Sequence, residues 1–443
     1  MDKRAAKSRR ERRIARRRQR LVARSIILSS VLLCAAGLFL LSASNGCAPA
    51  DAWYVEGEAV EVAAPPVEGG FSTLDERDTA LRTLPFFPAT QPPAELPIPT
   101  RVPLPTHAPL PTFAPQPTAD VPEARGPVTI VISAAGDCTL GGDYGSSAVR
   151  RFQLCAEQNG ADYFLENVRG IFAADDFTVI NLEGPLTTGT AKRPNRPFNF
   201  RGRPEYVEIL SGSSVEVATL ANNHALDFGK EGLLETAQLL TDAGIGAAGY
   251  ANAHYAEKDG VRLCFLGFTE WDYTAKQIAS IVSRERGNCD LLIVSMHWGR
   301  ELVAAATGTQ KTYGRAIVDA GADLVLGHHP HVVGGIEKYK GKYIVYSLGN
   351  FCFGGNTNPR DKDTMIFQQT FAFDFESGIA DAGINIIPCT ISSVSSTNNY
   401  QPTPLAGANA LRVLEEVASH SPLKMSDILW MDGFIGNADR SAL

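Results

Sequence analysis

Apolar and polar positions divide the chain into unlike stretches. Residues 1–24 are densely charged, "IILSSVLLCAAGLFLL" (26–41) carries no charge, and residues 45–126 show little helical or alternating period. From Pro127 the pattern changes to short apolar bursts alternating with longer stretches of helical spacing. "VTIVISAAGD", "FTVINLEG", "VEVATLANNH", "VRLCFLGF", "LLIVSMHWG", "ADLVLGHHPH" and "KYIVYSLGN" have the length and β-branched content of strands. Between them, Lys230–Ala243, which runs into Gly244, and Gln310–Ala320 carry the spacing of helices. The alternation predicts an α/β domain over 127–393. Lys340 and Gly341, between two apolar runs, predict a turn and hence a partly antiparallel sheet. The tail, 394–443, holds one amphipathic helix, Gly407–His420, expected to pack back on the domain.

Charge separates the ends. Residues 1–24 hold twelve Lys/Arg against Asp2 and Glu11, about +10; the whole chain carries −7, so the remainder is near −17. With its flanks the uncharged run approaches the roughly 17–20 residues that cross a bilayer as a helix. The reading is therefore a transmembrane helix or signal segment over 25–44, with 1–24 as a basic cytoplasmic arm. Everything after it would be extracytoplasmic, because excess Lys/Arg is retained inside. This predicts a single-pass cell-membrane protein. The small residues Ser42–Ser44 keep a cleaved signal open. A lipid on Cys47 fits less well, since Ser44-Asn45-Gly46 lacks an aliphatic residue. The adjoining apolar run argues against nucleic acid as the arm's partner. In 45–126 the prolines become frequent, removing backbone donors and favouring an extended spacer.

Six cysteines fall in the α/β region without a CxxC pair, which excludes a zinc ribbon or a thioredoxin-type centre. Cys138 with Cys155 is a local disulfide candidate, with unpaired buried thiols the alternative. The remaining chemistry lies at the carboxyl ends of the strand candidates: Asp137; Asn181 and Glu183; Asn222, Asn223, His224 and Asp227; His297; and His328, His329 and His331. Five of the eight histidines lie in the last three of these segments. Ligands of open α/β sheets bind outside the carboxyl ends of strands, so separate segments can converge on one crevice. Carboxylate, amide oxygen and imidazole are the donors that zinc, manganese or iron accept. Each segment also has a plainer reading: Asp137 as a helix cap, the asparagines as turn residues, His297 as a core histidine. Together they point to a metal-binding mouth.

The series GD, NLE, NNHxxDxG, HWG, GHHPHV and SLGNF resembles the CapA family of capsule-synthesis proteins, linked to poly-γ-glutamate and placed in the calcineurin-like metallophosphatase superfamily. The resemblance covers Val128 to Ser393. It implies a double β-sheet core flanked by helices, with one or two divalent ions (Mn, Zn or Fe) at one edge. By motif, Asp137 and Glu183 would be carboxylate ligands, Glu183 in the bridging position. Asn223, His297 and His329 would serve a second ion and His331 the first. His224 and Asp227 are the catalytic candidates, His224 as acid or electrostatic stabiliser. Asn181, Asn222, Arg201 and Arg300 are the substrate-binding candidates, the arginines because a guanidinium clamps an anionic group. Two departures stand out: the usual Asp-x-His opening is Asp137-Cys138-Thr139, and the usual Gly-Asp segment is Asn181-Leu182-Glu183.

The implied activity is metal-dependent hydrolysis or transfer, phosphoesterase-like, in the synthesis or export of a poly-γ-glutamate-type capsule. The implied partners are an anionic capsule polymer, membrane-bound synthase subunits and, through the N-terminal helix, the membrane. A region near −17 repels a polyanion except where metal ions and arginines reverse the field, so contact with a polymer end is expected. The competing reading is a non-catalytic subunit that binds or retains polymer; a wall-spanning structural role leaves the histidines unexplained.

Overall fold

The computed structural model describes residues 127–250 and 252–422. The first half runs β1 (Val128–Thr139), β2 (Gly142–Asp143), α1 (Ser147–Asn159), α2 (Glu166–Phe172), β3 (Phe177–Leu182), β4 (Phe200–Arg201), α3 (Val207–Ser211), β5 (Val217–Thr219), α4 (Gly229–Asp242) and β6 (Gly246–Ala248). The second runs β7 (His254–Lys258), β8 (Val261–Thr269), α5 (Ala275–Glu285), β9 (Leu291–His297), α6 (Gly308–Asp319), β10 (Leu324–His328), β11 (Ile336–Tyr339) and β12 (Lys342–Val345). β13 (Asn350–Phe353), β14 (Asp363–Asp374), β15 (Gly378–Thr390), β16 (Thr403–Pro404) and α7 (Gly407–Ser419) complete it.

Two mixed sheets carry the core. One has the order β16-β15-β14-β1-β3-β5-β6, with β13 also paired to β1; the other is β11-β12-β10-β9-β8-β7. Within the first, β1, β3, β5 and β6 are parallel, and within the second β8, β9, β10 and β12 are parallel. All their carboxyl ends can therefore face one edge. Ile130, Ile132, Val179 and Val217 of the first sheet meet Leu263, Phe265, Ile293 and Leu326 of the second in one apolar cluster. Val413, Leu414 and Val417 of α7 join the same cluster. α1 to α4 cover the far face of the first sheet, and α5 and α6 that of the second. Thr274 and Thr307 open the last two of these helices with capping boxes closed by Gln277 and Gln310.

A register shift in β1 decides which side chains reach the edge. Ile130, Ile132 and Ala134 point between the sheets, as alternation requires, but the pairing with β3 slips between Ala134 and Asp137. Past the slip the parity is reversed: Cys138 joins the helix-side core and Asp137 turns toward the second sheet. Gly136 allows the chain to bend there, since a Cβ would lie 2.0 Å from the Gly349 carbonyl oxygen.

Several expectations are corrected. The described fold is α/β with two mixed sheets and flanking helices, and among the described residues no helix is long and apolar enough to cross a membrane. α4, at 14 residues the longest of the described helices, spans about 21 Å at 1.5 Å per residue, short of the ~30 Å hydrocarbon core. The segment read as a transmembrane helix (25–44), the basic arm and the proline-rich spacer lie outside the described residues. Membrane anchoring, single-pass localisation and the membrane as partner therefore find no support here and are withdrawn. The structure gives equally little for the capsule polymer or synthase subunits as bound partners. Cys138 and Cys155 are not paired: all six cysteines of the described residues are free.

Candidate metal centre

The strand ends converge as the parallel topology requires. Asp137 follows the shift in β1 and is fully buried. Its Oδ1 accepts from Asn181 Nδ2 at 2.8 Å, and its Oδ2 accepts from the His329 backbone N–H at 3.2 Å, bridging the two sheets. His331 Nδ1 lies 3.1 Å from Asp137 Oδ2 and His328 Nδ1 3.3 Å from Oδ1. Glu183, one residue past β3, is 1% exposed; its Oε2 accepts from Thr139 Oγ1 at 3.4 Å. His297 Nε2 and His331 Nε2 each stand 3.8 Å from Glu183 Oε1.

The histidine turn owes its shape to close backbone packing. A Cβ on Gly327 would lie 2.2 Å from the Tyr346 carbonyl oxygen, so only glycine lets β10 run beside the residue that follows β12, just before the histidines. Past it, His329 and His331 adopt left-handed φ of 94° and 59°. Such values in non-glycine residues cost on the order of 1–3 kcal/mol each and cluster at functional sites. The reward is that both imidazoles enter the mouth, with ring centroids 5.7 Å apart.

Protonation follows from these neighbours. Burial alone would raise Asp137, but the imidazoles of His328 and His331 outweigh it and hold its carboxyl well below the usual range. Glu183 is pushed up to about 7, chiefly by burial, with His331 opposing. For His331 burial is overcome by Glu183 and Asp137, which raise it to about 9. Burial and neighbouring imidazoles lower His329 to about 4 and His297 well below its ordinary value.

His224 forms a second unit at the rim. Asp227 Oδ2 accepts the Phe200 backbone N–H at 2.7 Å and lies 2.6 Å from His224 Nδ1, so that ring nitrogen donates. The Phe200 ring lies over the imidazole at 4.1 Å between centroids. Asn222 ties the loop down: its Nδ2 donates to Leu182 O (2.9 Å) and Asn181 Oδ1 (3.2 Å), and its Oδ1 accepts the His224 N–H (3.1 Å). Asn181 and Asn222 thus brace the site. Asn223 Oδ1 lies 3.0 Å from His297 Nε2.

The two arginines are placed differently. The Arg201 guanidinium lies over the Tyr144 ring at 4.2 Å and donates to the Gly189 carbonyl at 2.6 Å. Arg300 is exposed in the loop after β9. Three residues had no motif to reveal them: Phe200, Glu301, and Trp271, edge-on to His329 at 4.9 Å; Asn350, within SLGNF but given no role, donates from Nδ2 to His331 O at 3.2 Å.

Whether this donor set fits a cation can be tested on its polar atoms. Glu183 Oε1, His328 Nε2 and His329 Nδ1 are buried without a hydrogen-bond partner. Each such atom costs about 1–3 kcal/mol. Ligand atoms of Asp137, Glu183 and His331 lie within 4.8 Å of one another, as do those of Glu301, His329 and His331. Carboxylates and imidazoles at that spacing fit a divalent ion of the zinc, manganese or iron kind. His297 and Asn223 stand beside these groups.

Fold and site define an α/β protein competent to bind a metal ion. Residues 131–355 match the family model described as bacterial capsule synthesis protein PGA_cap. The chain is 32% identical over 272 residues to the PGA biosynthesis protein CapA of Bacillus subtilis (strain 168), covering 55% of this chain and 69% of that one. It is 29% identical over 268 residues to the capsule biosynthesis protein CapA of Bacillus anthracis, covering 54% and 63%. The chain belongs to this capsule synthesis family. Among solved structures, a hypothetical protein from Thermus thermophilus aligns at 14% identity and a TM-score of 0.37, over 58% of this chain and 98% of that chain. That likeness is too weak to support the calcineurin-like assignment.

Proposed function

We propose that this chain is a metal-dependent hydrolase, phosphoesterase-like, acting in capsule synthesis as its relatives' names describe. The observation that supports it most is the His224–Asp227 pair at the rim of the buried Asp137–Glu183–His331 group. Asp137, Glu183, Asn223, His297, His329 and His331 would hold the ions. A divalent ion bound there polarises a phosphoryl or carbonyl oxygen and neutralises charge that develops on it.

The chain's own groups supply the rest. Asp227 fixes the imidazole with its Nδ1 proton donated inward, which leaves Nε2 as the exchangeable position. As water attacks the phosphorus or carbonyl carbon, a His224 ring protonated at both nitrogens gives its Nε2 proton to the departing oxygen, and the proton released by the attacking water restores it. Phe200 shields one face of the ring from water and holds Asp227 through its backbone N–H. Asn181 and Asn222 keep the bracing network fixed, and Arg300, exposed at the rim, meets an anionic substrate group.

The test is hydrolysis of phosphomonoesters, phosphodiesters, carboxylic esters and amides by metal-loaded full-length protein, beside His224→Ala. Turnover should fall about 10²- to 10⁴-fold in the variant with bound metal unchanged. No turnover of any of these classes by the loaded wild type would sink the hydrolase reading and leave a binding role.

A further inference from the structure

The two compact donor groups share His331 but use different carboxylates. Asp137 and Glu183 are buried at the ends of β1 and β3, whereas Glu301 is exposed in the loop after β9. We propose that Glu301 is a ligand of an outer ion, forming with His329 a second position at the mouth beside the Asp137–Glu183–His331 position. The inference rests on the metal-centre reading above and adds a residue that no motif supplies.

Three independent observations support it. The Leu302 backbone N–H donates to the Pro330 carbonyl at 2.8 Å, which ties the Glu301 loop directly to the histidine turn. Leu302, His329 and His331 all have left-handed φ, at 59°, 94° and 59°, so unfavourable backbone is concentrated in the two segments that this hydrogen bond joins. Leu302 takes its left-handed φ in a turn closed by the Val303 N–H donating to the Arg300 carbonyl at 3.3 Å, and that turn carries Glu301 at its corner. Finally, His329 is 7% exposed and its Nδ1 is buried without a partner, as a ligand nitrogen would be before an ion arrives.

The donor chemistry gives a reason for the arrangement. Thr139 stands two residues past Asp137 and donates to Glu183 Oε2, and the intervening Cys138 points into the helix-side core, so β1 brings only one anionic donor to the mouth. Glu301 approaches from the second sheet and adds an anionic donor to the mouth. Its exposure places the outer ion where substrate arrives, while the inner ion is enclosed.

The experiment is Mn²⁺ titration of chelator-stripped full-length protein by calorimetry, with bound metal counted by elemental mass spectrometry. Wild type, Glu301→Gln and Glu376→Gln, a remote exposed control, are compared. The expected result is about two equivalents in wild type and control, with the second site of Glu301→Gln weakened at least about tenfold and the first retained. Two equivalents of unchanged affinity in Glu301→Gln would overturn the inference and leave the metal centre standing. No Mn²⁺ bound by wild type would overturn both.

Discussion

Two buried carboxylates at opposite ends of the strands show what separates a structural ion pair from a site. Asp323 precedes β10 and is 4% exposed, yet every contact it needs is present. Its Oδ2 accepts from Arg286 Nη1 at 2.6 Å and from the Leu292 N–H at 2.9 Å, and its Oδ1 from Lys342 Nζ at 2.8 Å. Glu183 follows β3 at the carboxyl edge and is just as buried, but its Oε1 has no hydrogen-bond partner and its nearest imidazoles stand at 3.8 Å. A carboxylate closed by cations and amides holds strands together. One left open among histidines is destabilising until something positive enters.

The largest break in this comparison is expected at Asp323. Asp323→Ala strands Arg286 and Lys342 near a buried amide, and should cost about 3–5 kcal/mol in denaturant unfolding, while metal per folded molecule stays unchanged. Glu183→Gln should do the reverse: ion affinity falls about 100-fold or more by calorimetry, with no loss of stability in the metal-free protein. Asp227→Asn should lower turnover about 10- to 100-fold without changing bound metal, because a neutral amide lacks the charge that orients the His224 Nδ1–H and can turn its NH2 toward that nitrogen instead. Equal loss of metal in that variant would place Asp227 in the ion site instead.

The smallest effect is a pH slope. In the metal-free protein Glu183 is raised to about 7, so its ionisation opposes folding as pH rises from 4.5 through 7. His331 is raised to about 9, so its stabilisation is complete below 6.5 and lost as pH rises through 9. His329 is lowered to about 4, so stability is lost as pH falls from 6.5 through 4. Metal-free stability should therefore decline above pH 7, whereas ion affinity should rise up to about tenfold per pH unit toward 9, as His331 gives up its proton. A gap between loaded and metal-free melting temperatures that narrows from pH 7 to 9 would contradict this.

Much of the α/β core was legible because β1, β3, β8, β9 and β10 are apolar on both faces, and continuous runs of Val, Ile and Leu admit few other readings. β14 and β15 were not, since polar residues such as Gln368 and Gln369 interrupt their apolar positions. The candidate residues of five strand ends could be picked out, but not the slip in β1 that turns Asp137 inward and Cys138 away. Arg201 looked like an anion clamp; its neighbours in space, Tyr144 and Gly189, are far enough along the chain that nothing local signals them. Glu301 has the same difficulty in reverse, because its proximity to His329 and His331 exists only across the fold.

The most direct test of the metal centre is elemental mass spectrometry of full-length protein after growth with zinc, manganese and iron, in wild type and in the His329→Ala/His331→Ala variant. Bound metal in wild type that is lost from a folded double variant is the predicted result. Wild type without metal, or a variant that keeps it in full, would contradict the account.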